Sequence, residues 1–388
     1  MDRLGVLFCL YRFYGFGGIE RVSAILAQIL RKNGYCVSIC AIQRPPSGFP
    51  SELTVDDDVI YAPSSDPLDP VNRGFLPSAI SKTGARIVVF HDCYQPMECL
   101  LKNIPTSVGL VIVEHNTPTI PVGWPDDTVG TTLSSRLLSF VRAWRAERWT
   151  RRRHRLLYDI CDRYVLLSDR YFGEFRWVAR LRDTRKLRAI PNVNTFVPLP
   201  ARPPKHKQVL FLGSLLRVKG VDFLLEAWLY VARDFQDWTL EIVGDGPFRG
   251  DLERKAKNRT IPRIRFHGPS TDVSSFLTGA PILAAPSRYE GFPMVLGEAM
   301  AHGTVPVCFD SYSALRDIVT DGKDGILVPA FDVAAFAAAL RRLMSDETLL
   351  HEMFENALRS VDRFSAENVI PMWKALFREV MEEKGRAG

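Results

Sequence analysis

The sequence predicts an α/β protein built from two doubly wound parallel-sheet domains, and three observations carry that prediction. Apolar, β-rich runs alternate with helical periodicity along nearly the whole chain. The alternation stops at FVPLPARPPKHKQ (196–208), proline-rich, polar and without period, as a linker is. At 388 residues the chain also exceeds the usual size of one domain. The expected division is 1–197, 205–365 and a terminal helical segment, 366–388. That last helix follows a completed second domain and needs a surface to cover, and the first domain is the available partner.

The elements follow in order. VLFCLY (6–11) reads as the first strand, then a helix from Glu20 to about Lys32, then CVSICAI (36–42), RIVVF (86–90) and LVIVE (110–114). RYVLLS (163–168) and RAIPN (188–192) complete the first half. The second half runs QVLFLG (208–213), helix 220–233, TLEIVG (239–244), helix 248–258 and RIRFHG (263–268). PILAAPS (281–287), helix 294–302, TVPVCF (304–309) and GILVPA (325–330) continue it. Helices at 332–344 and 346–361 come next, with Asp332 and Ser345 placed to cap them. The final helix is expected to break at Pro371.

Composition narrows the function. With 46% hydrophobic and 24% charged residues, both halves can bury a core. No run reaches the ~18 apolar residues of a membrane helix. The opening LGVLFCLY is followed by aromatic and glycine residues instead of a small-residue cleavage site, so it reads as a strand and not a signal peptide. Seven cysteines, an odd number without C-x-x-C, fit free thiols in a reducing cytoplasm. Zinc-finger, RNP and helix-turn-helix signals are missing, which argues against nucleic acid.

SRYEGFPMVLGEAMAHG (287–303) sets Glu290 and Glu298 around a helix start at Pro293. Proline suits the first helical position, and the N–H groups of Met294 and Val295 behind it offer an anion site. Carboxylates beside a phosphate would repel it, so the two glutamates fit hydroxyl groups on either side. Phosphate between hydroxyl-bearing groups describes a sugar nucleotide; two ordinary solvent-exposed glutamates at a helix start is the plain alternative. FLGSLLRVKG (211–220) adds Arg217 and Lys219 just past a strand's carboxyl end, where parallel sheets bind ligands. EIVGDGP (241–247) supplies a glycine-rich turn beside it. GFGG (15–18) is not a dinucleotide fingerprint, because the third glycine would fall on Glu20. Gly17 and Gly18 still permit close backbone approach to a sugar or phosphate.

Taken in order, FLGSL…KG, IVGDGP, RFHG, APSRYEGFPMVLGEAMAHGTVPV and VTDGKDGILVP resemble the family 4 retaining glycosyltransferases, of the bacterial polysaccharide and lipid-glycan assembly type. YGFGGIERVSAILAQIL, FHD, EHN and IPN extend the resemblance through the first half. It implies the GT-B fold, two Rossmann-like domains facing a cleft. It implies a retaining transfer of a hexose from a nucleotide-diphosphate sugar, a UDP-sugar ahead of a GDP-sugar, to a glycan or lipid-linked acceptor in cell-surface polysaccharide synthesis. By the same resemblance Glu298 would bind ribose. Glu290 and the Gly291–Phe292–Pro293 backbone would hold the sugar, and Lys219 would neutralise the diphosphate. His115 in EHN would lie beside the sugar. The family's arginine is replaced by Ser214, so the second phosphate cation falls to Arg217 or is absent. His115, Lys219 and Glu290 are the candidate catalytic residues. No cofactor and no metal are implied, and the D-x-D in Asp56–Asp58 reads as a solvated loop.

Between Arg136 and Arg155 lie eight arginines and one acid, Glu147, with Leu133, Leu137, Val141 and Trp144 at helical spacing. Two readings stand: contact with an anionic membrane surface, or a domain helix with a solvated arginine face. The first would make the protein cytoplasmic and peripheral on the inner face of the membrane. Two other functions stay open, a sugar-nucleotide isomerase or hydrolase on the same fold and a non-catalytic sugar-nucleotide-binding subunit.

Overall fold

The computed structural model describes residues 3–14, 18–46, 59–91, 97–119, 133–194 and 205–386, the side chains of 133–143 excepted. Two compact units emerge. One comprises the chain up to Val193 together with the segment from Val369 onward; the other is Asn194–Asn368.

The first unit contains strands β1 (Gly5–Arg12), β2 (Cys36–Gln43), β3 (Ile60–Tyr61), β4 (Ile87–His91), β5 (Gly109–Glu114), β6 (Arg163–Leu166) and β7 (Leu187–Ala189). Its helices are α1 (Gly18–Lys32), α2 (Phe75–Thr83), α3 (Glu98–Leu101), α4 (Leu133–Ile160) and α5 (Tyr171–Ala179). The strands form one parallel sheet in the order β3-β2-β1-β4-β5-β6-β7. β4 and β5 are buried along their whole length, which is why their sequences are unbroken apolar runs instead of alternating ones.

The second unit has β8 (Gln208–Leu212), α6 (Val221–Val231), β9 (Thr239–Val243), α7 (Arg249–Asn258), β10 (Ile264–Gly268) and α8 (Val273–Gly279). It continues with β11 (Ile282–Ala285), α9 (Met294–Ala301), β12 (Val305–Asp310), α10 (Leu315–Ile318), β13 (Ile326–Pro329), α11 (Val333–Ser345) and α12 (Glu347–Ser360). Its sheet is parallel in the order β10-β9-β8-β11-β12-β13. On α6, Val221, Leu224, Leu225, Trp228 and Val231 recur at helical spacing and all are buried. Burying each such side chain is worth about 1.5–3 kcal/mol. Trp228 keeps its one polar atom satisfied by donating Nε1–H to the Pro262 carbonyl at 2.9 Å.

Both sheets reverse direction beside their first strand, between β1 and β4 and between β8 and β11. Crevices for ligands open at the carboxyl ends of strands at such switch points. The loop after β1 contains Gly17, which lies outside the described residues, as do Asp56–Asp58. Gly18 is already the first residue of α1, two residues before the expected start.

Two local expectations are corrected. Ser345 does not cap the helix after it: its hydroxyl bonds back to the Arg341 carbonyl at 2.8 Å, inside α11. Asp346 takes the cap, accepting from Leu349 N–H at 2.9 Å, because a carboxylate one residue on reaches the free amide better. Nor does Pro371 break the last helix, α13 (Ala366–Arg386), which runs through it. Pro371 and Glu367, whose carbonyl loses its helical partner, are both exposed, so the lost bond falls on the solvent side of the helix. Meanwhile Val369, Ile370, Trp373, Leu376, Phe377 and Val380 are buried and hold the helix.

α13 is fastened to the first unit by packing and by charge. A side chain on Gly109, at the start of β5, would overlap Val380. Tyr35 meets Phe377 edge-on at 5.5 Å. Arg163, buried at the start of β6, donates to Glu383 at 2.9 Å and lies 2.8 Å from Glu379, and Arg188 also donates to Glu379. Burial by itself would raise the Glu379 carboxyl, but hydrogen bonds from Arg163 and Arg188 outweigh it and pull the pKa down to about 2.

Candidate donor site and the histidine pair

The loops after β8, β9 and β11 are laced together by main-chain hydrogen bonds. Gly213 N–H bonds to Val243 O at 3.0 Å and Leu215 N–H to Asp245 O at 2.8 Å. Gly244 N–H bonds to Gly268 O, and Arg288 N–H to Val218 O, both at 2.7 Å. Glycine is required at two points. Gly220 has φ +69° and Gly244 φ +136°, and a Cβ there would overlap the carbonyl oxygens of Pro286 and Gly213 respectively. The glycines read from the sequence therefore serve close approach of loop to loop.

Within this scaffold Lys219 and Glu290 meet, with Nζ 2.5 Å from Oε1. Ser287 donates its hydroxyl to the same carboxylate oxygen at 2.9 Å. The side chains of Lys219 and Glu290 keep 23% and 15% exposure, enough for a ligand to reach them. A brace that sequence reading missed fixes the pair. Arg288, buried, forks onto Asp222 at 2.8 and 2.7 Å and donates to the Arg217 carbonyl at 2.5 Å. It ties the short turn Arg217–Lys219 to the loop carrying Glu290. The signal was present in SRYEG, where the arginine sits between two site residues. Arg217 lies over the Phe248 ring at 5.0 Å, and Ser214 is exposed.

Pro293 occupies the N-cap of α9, one position earlier than expected, with an extended ψ of 116°. It offers no side-chain cap. The first amides of the helix, at Met294 and Val295, thus belong to the turn whose N–H groups have no intrahelical acceptor, and both residues are half-buried. Phe292 is buried against Phe364, centroids 5.2 Å apart, which anchors the Gly291–Phe292–Pro293 backbone. Glu298, one turn into α9, is 3% exposed. His302 bonds to the Glu298 carbonyl and to Ser274, both through ring nitrogens, so it is a structural histidine.

In the first unit His91, at the end of β4, and His115, just after β5, form a buried pair. His91 Nδ1 lies 3.0 Å from His115 Nε2. Burial holds both below the usual imidazole range, His115 at about 4; for His91 the neighbouring ring adds to the effect. The pair is therefore neutral at neutral pH and exactly one of the facing nitrogens bears a hydrogen. His91 Nε2 is buried with no partner among the described residues. An unmet buried N–H is rarer than an unmet acceptor, so the hydrogen of His91 belongs on Nδ1, pointing at His115. His115 then carries its own hydrogen on Nδ1 and is a neutral donor. Sequence reading favours His115 over His91, the two residues that follow β-runs, and nothing local shows that the two rings meet. Among the described residues no group of three or more His, Cys, Asp or Glu is placed to hold a metal.

This is the GT-B fold: two Rossmann-like units, the second with its loops laced together at the switch point of its sheet. Residues 206–346 match the family model described as glycosyl transferases group 1. The chain is 25% identical over 368 residues to an uncharacterized glycosyltransferase of Haemophilus influenzae, covering 93% of this chain and 96% of that one. It is 29% identical over 230 residues to the GalNAc-alpha-(1->4)-GalNAc-alpha-(1->3)-diNAcBac-PP-undecaprenol alpha-1,4-N-acetyl-D-galactosaminyltransferase of Campylobacter jejuni. That match spans 58% of this chain and 62% of the relative. Among solved structures, the pneumococcal O-GlcNAc transferase GtfA in complex with UDP and GlcNAc superposes with a TM-score of 0.74 at 14% identity, covering 98% of this chain and all of that one. These likenesses support a glycosyltransferase.

Proposed function

We propose that the protein is a retaining glycosyltransferase that moves a hexose from a UDP-sugar to a glycan or lipid-linked acceptor in cell-surface polysaccharide synthesis. The observation that carries this reading is the Lys219–Glu290 pair beside the uncapped start of α9 at the sheet's switch point. A diphosphate at the α9 amides would draw on Lys219, and the charge that grows on it as the glycosidic bond breaks would be stabilised there. Glu298 would accept from the ribose hydroxyls, and Glu290 with the 291–293 backbone would orient the sugar. His115 would act as a neutral donor to the transferred sugar. A UDP donor is favoured by the UDP bound in the pneumococcal structure, and a lipid-linked acceptor by the undecaprenol named for the Campylobacter relative.

Retention follows in this reading from attack by the acceptor hydroxyl on the face that the diphosphate leaves, with the leaving phosphate oxygen taking the acceptor proton. A thermal-shift series of UDP, GDP and their sugar conjugates tests the donor. Product anomeric configuration by proton NMR tests retention, and an inverted anomer would refute it. Turnover is expected to survive EDTA, and its complete loss, restored by Mg²⁺ or Mn²⁺, would refute a metal-free mechanism.

A further inference from the structure

α4 and α5 both turn large apolar groups and unmatched cations to solvent. Trp177 on α5 is 67% exposed, and Trp144 and Trp149 on α4 are 49% and 43% exposed. Leu156 and Ile160 are exposed on α4 as well. Arg145, Arg148 and Arg152 on α4, Arg176 on α5 and Arg180 at its end are all exposed. Among the described residues none of these five arginines pairs with a carboxylate. The nearby acids are engaged, Glu147 by Arg151 and Asp159 by Arg155, each at 2.9 Å.

The geometry gives this surface a centre. Arg151, Arg176, Arg180 and Trp177 line a groove of about 440 Å³ between the two helices. Trp144, Arg148, Arg151 and Arg155 follow one stripe of α4, at spacings of four, three and four. Arg148 stacks on the Trp144 ring at 4.9 Å, which pre-positions its charge outward. Exposed cations alone would suit any polyanion. Trp144 on that stripe and Trp177 in the groove, both exposed indoles, point elsewhere, because indole settles where an apolar phase meets water.

We propose that the α4–α5 face docks on a bilayer surface rich in anionic phospholipid. The guanidinium groups of the groove take lipid phosphates, and Trp144 and Trp177 sit at headgroup level. The face involves the first unit alone, so this proposal stands or falls separately from the transferase reading.

The test is cosedimentation of the whole protein with phosphatidylglycerol–phosphatidylcholine vesicles and with pure phosphatidylcholine vesicles. Partitioning is expected to be at least about tenfold stronger on the anionic vesicles and to fall steeply with salt. Tryptophan emission should shift to the blue on binding. Replacing Arg145, Arg148, Arg152 and Arg176 by Gln should weaken partitioning by roughly fivefold per arginine. Trp177→Ser alone should reduce the emission shift while leaving the salt dependence, and it provides a second reading if the quadruple variant folds poorly. Equal binding to both vesicle types, unchanged binding of the quadruple variant, or binding to single-stranded RNA with vesicles ignored would each overturn the proposal.

Discussion

Lys219 and Glu290, 71 residues apart in the chain, form an ion pair with Nζ and Oε1 2.5 Å apart. In the proposed reaction each has another partner to meet, the diphosphate and the sugar. The pair keeps a cation and an anion ready without leaving either uncompensated in a half-buried loop.

Substituting the two partners should separate their roles. Lys219→Met is expected to lower turnover by about 10²–10³-fold, the cost of losing one preorganised stabiliser of transition-state charge. Glu290→Gln should instead tighten binding of the free nucleoside diphosphate, because Lys219 is released to it, while still lowering transfer. Calorimetry with UDP alongside steady-state rates checks both. Weaker UDP binding by Glu290→Gln would show that the carboxylate is not competing for the lysine.

Glu298 is buried one turn into α9, the helix whose first amides face the proposed diphosphate. Glu298→Gln should cost about 1.5–3 kcal/mol of nucleotide affinity, the worth of a hydrogen bond to a charged group. The loss should shrink for a deoxyribose analogue, and an equal loss on both would place Glu298 away from the ribose.

The histidine pair makes a spectroscopic prediction. Ring ¹⁵N shifts should show both His91 and His115 neutral at pH 7 and protonated on Nδ1, and an Nε2–H form of either would contradict the assigned arrangement. The stability consequence follows from the sign of the shifts. Both pKa values are lowered on folding, His115 to about 4, so between pH 6.5 and about 4 the unfolded chain binds protons that the folded one does not. Stability should fall as pH drops through that window. In a His91→Asn, His115→Asn double variant the slope should be shallower, as read by urea unfolding at several pH values.

Arg163 makes a second pH-dependent contribution through α13. Glu379 has its pKa depressed to about 2 and Glu383 is also lowered, the latter chiefly by its hydrogen bond from Arg163. Their stabilisation is therefore complete above the ordinary carboxylate pKa and is lost as pH falls towards the folded values. Arg163→Met should destabilise by roughly 1.5–3 kcal/mol at pH 7. The gap to the parent protein should narrow below about pH 4, because protonated carboxyls no longer reward the guanidinium. A gap independent of pH would mean that packing of α13, and not charge, is what the substitution disturbs.

Much of the fold was written locally. The unbroken apolar runs of β4, β5, β8 and β11 announce strands buried on both faces, and the spacing of Val221, Leu224, Leu225 and Trp228 announces a helix with one covered side. Such patterns repeat over a few residues, so a window of the chain contains them. Gly220, Gly244 and the 290–298 segment were legible for the same reason, since a turn of special φ or a helix start needs particular residues at short spacing. The errors at Ser345 and Pro371 were local competitions: Asp346 offered a better cap one residue on, and burial of one face of α13 outweighed a missing hydrogen bond on the other. What the sequence could not disclose is which distant loops become neighbours. Parallel strands are joined by long crossovers, so His91 and His115, Lys219 and Glu290, and Arg163 and Glu379 meet only when the sheets have ordered themselves. That order decides which charges are matched, which ring nitrogen holds a hydrogen and which arginines of α4 and α5 are left facing solvent.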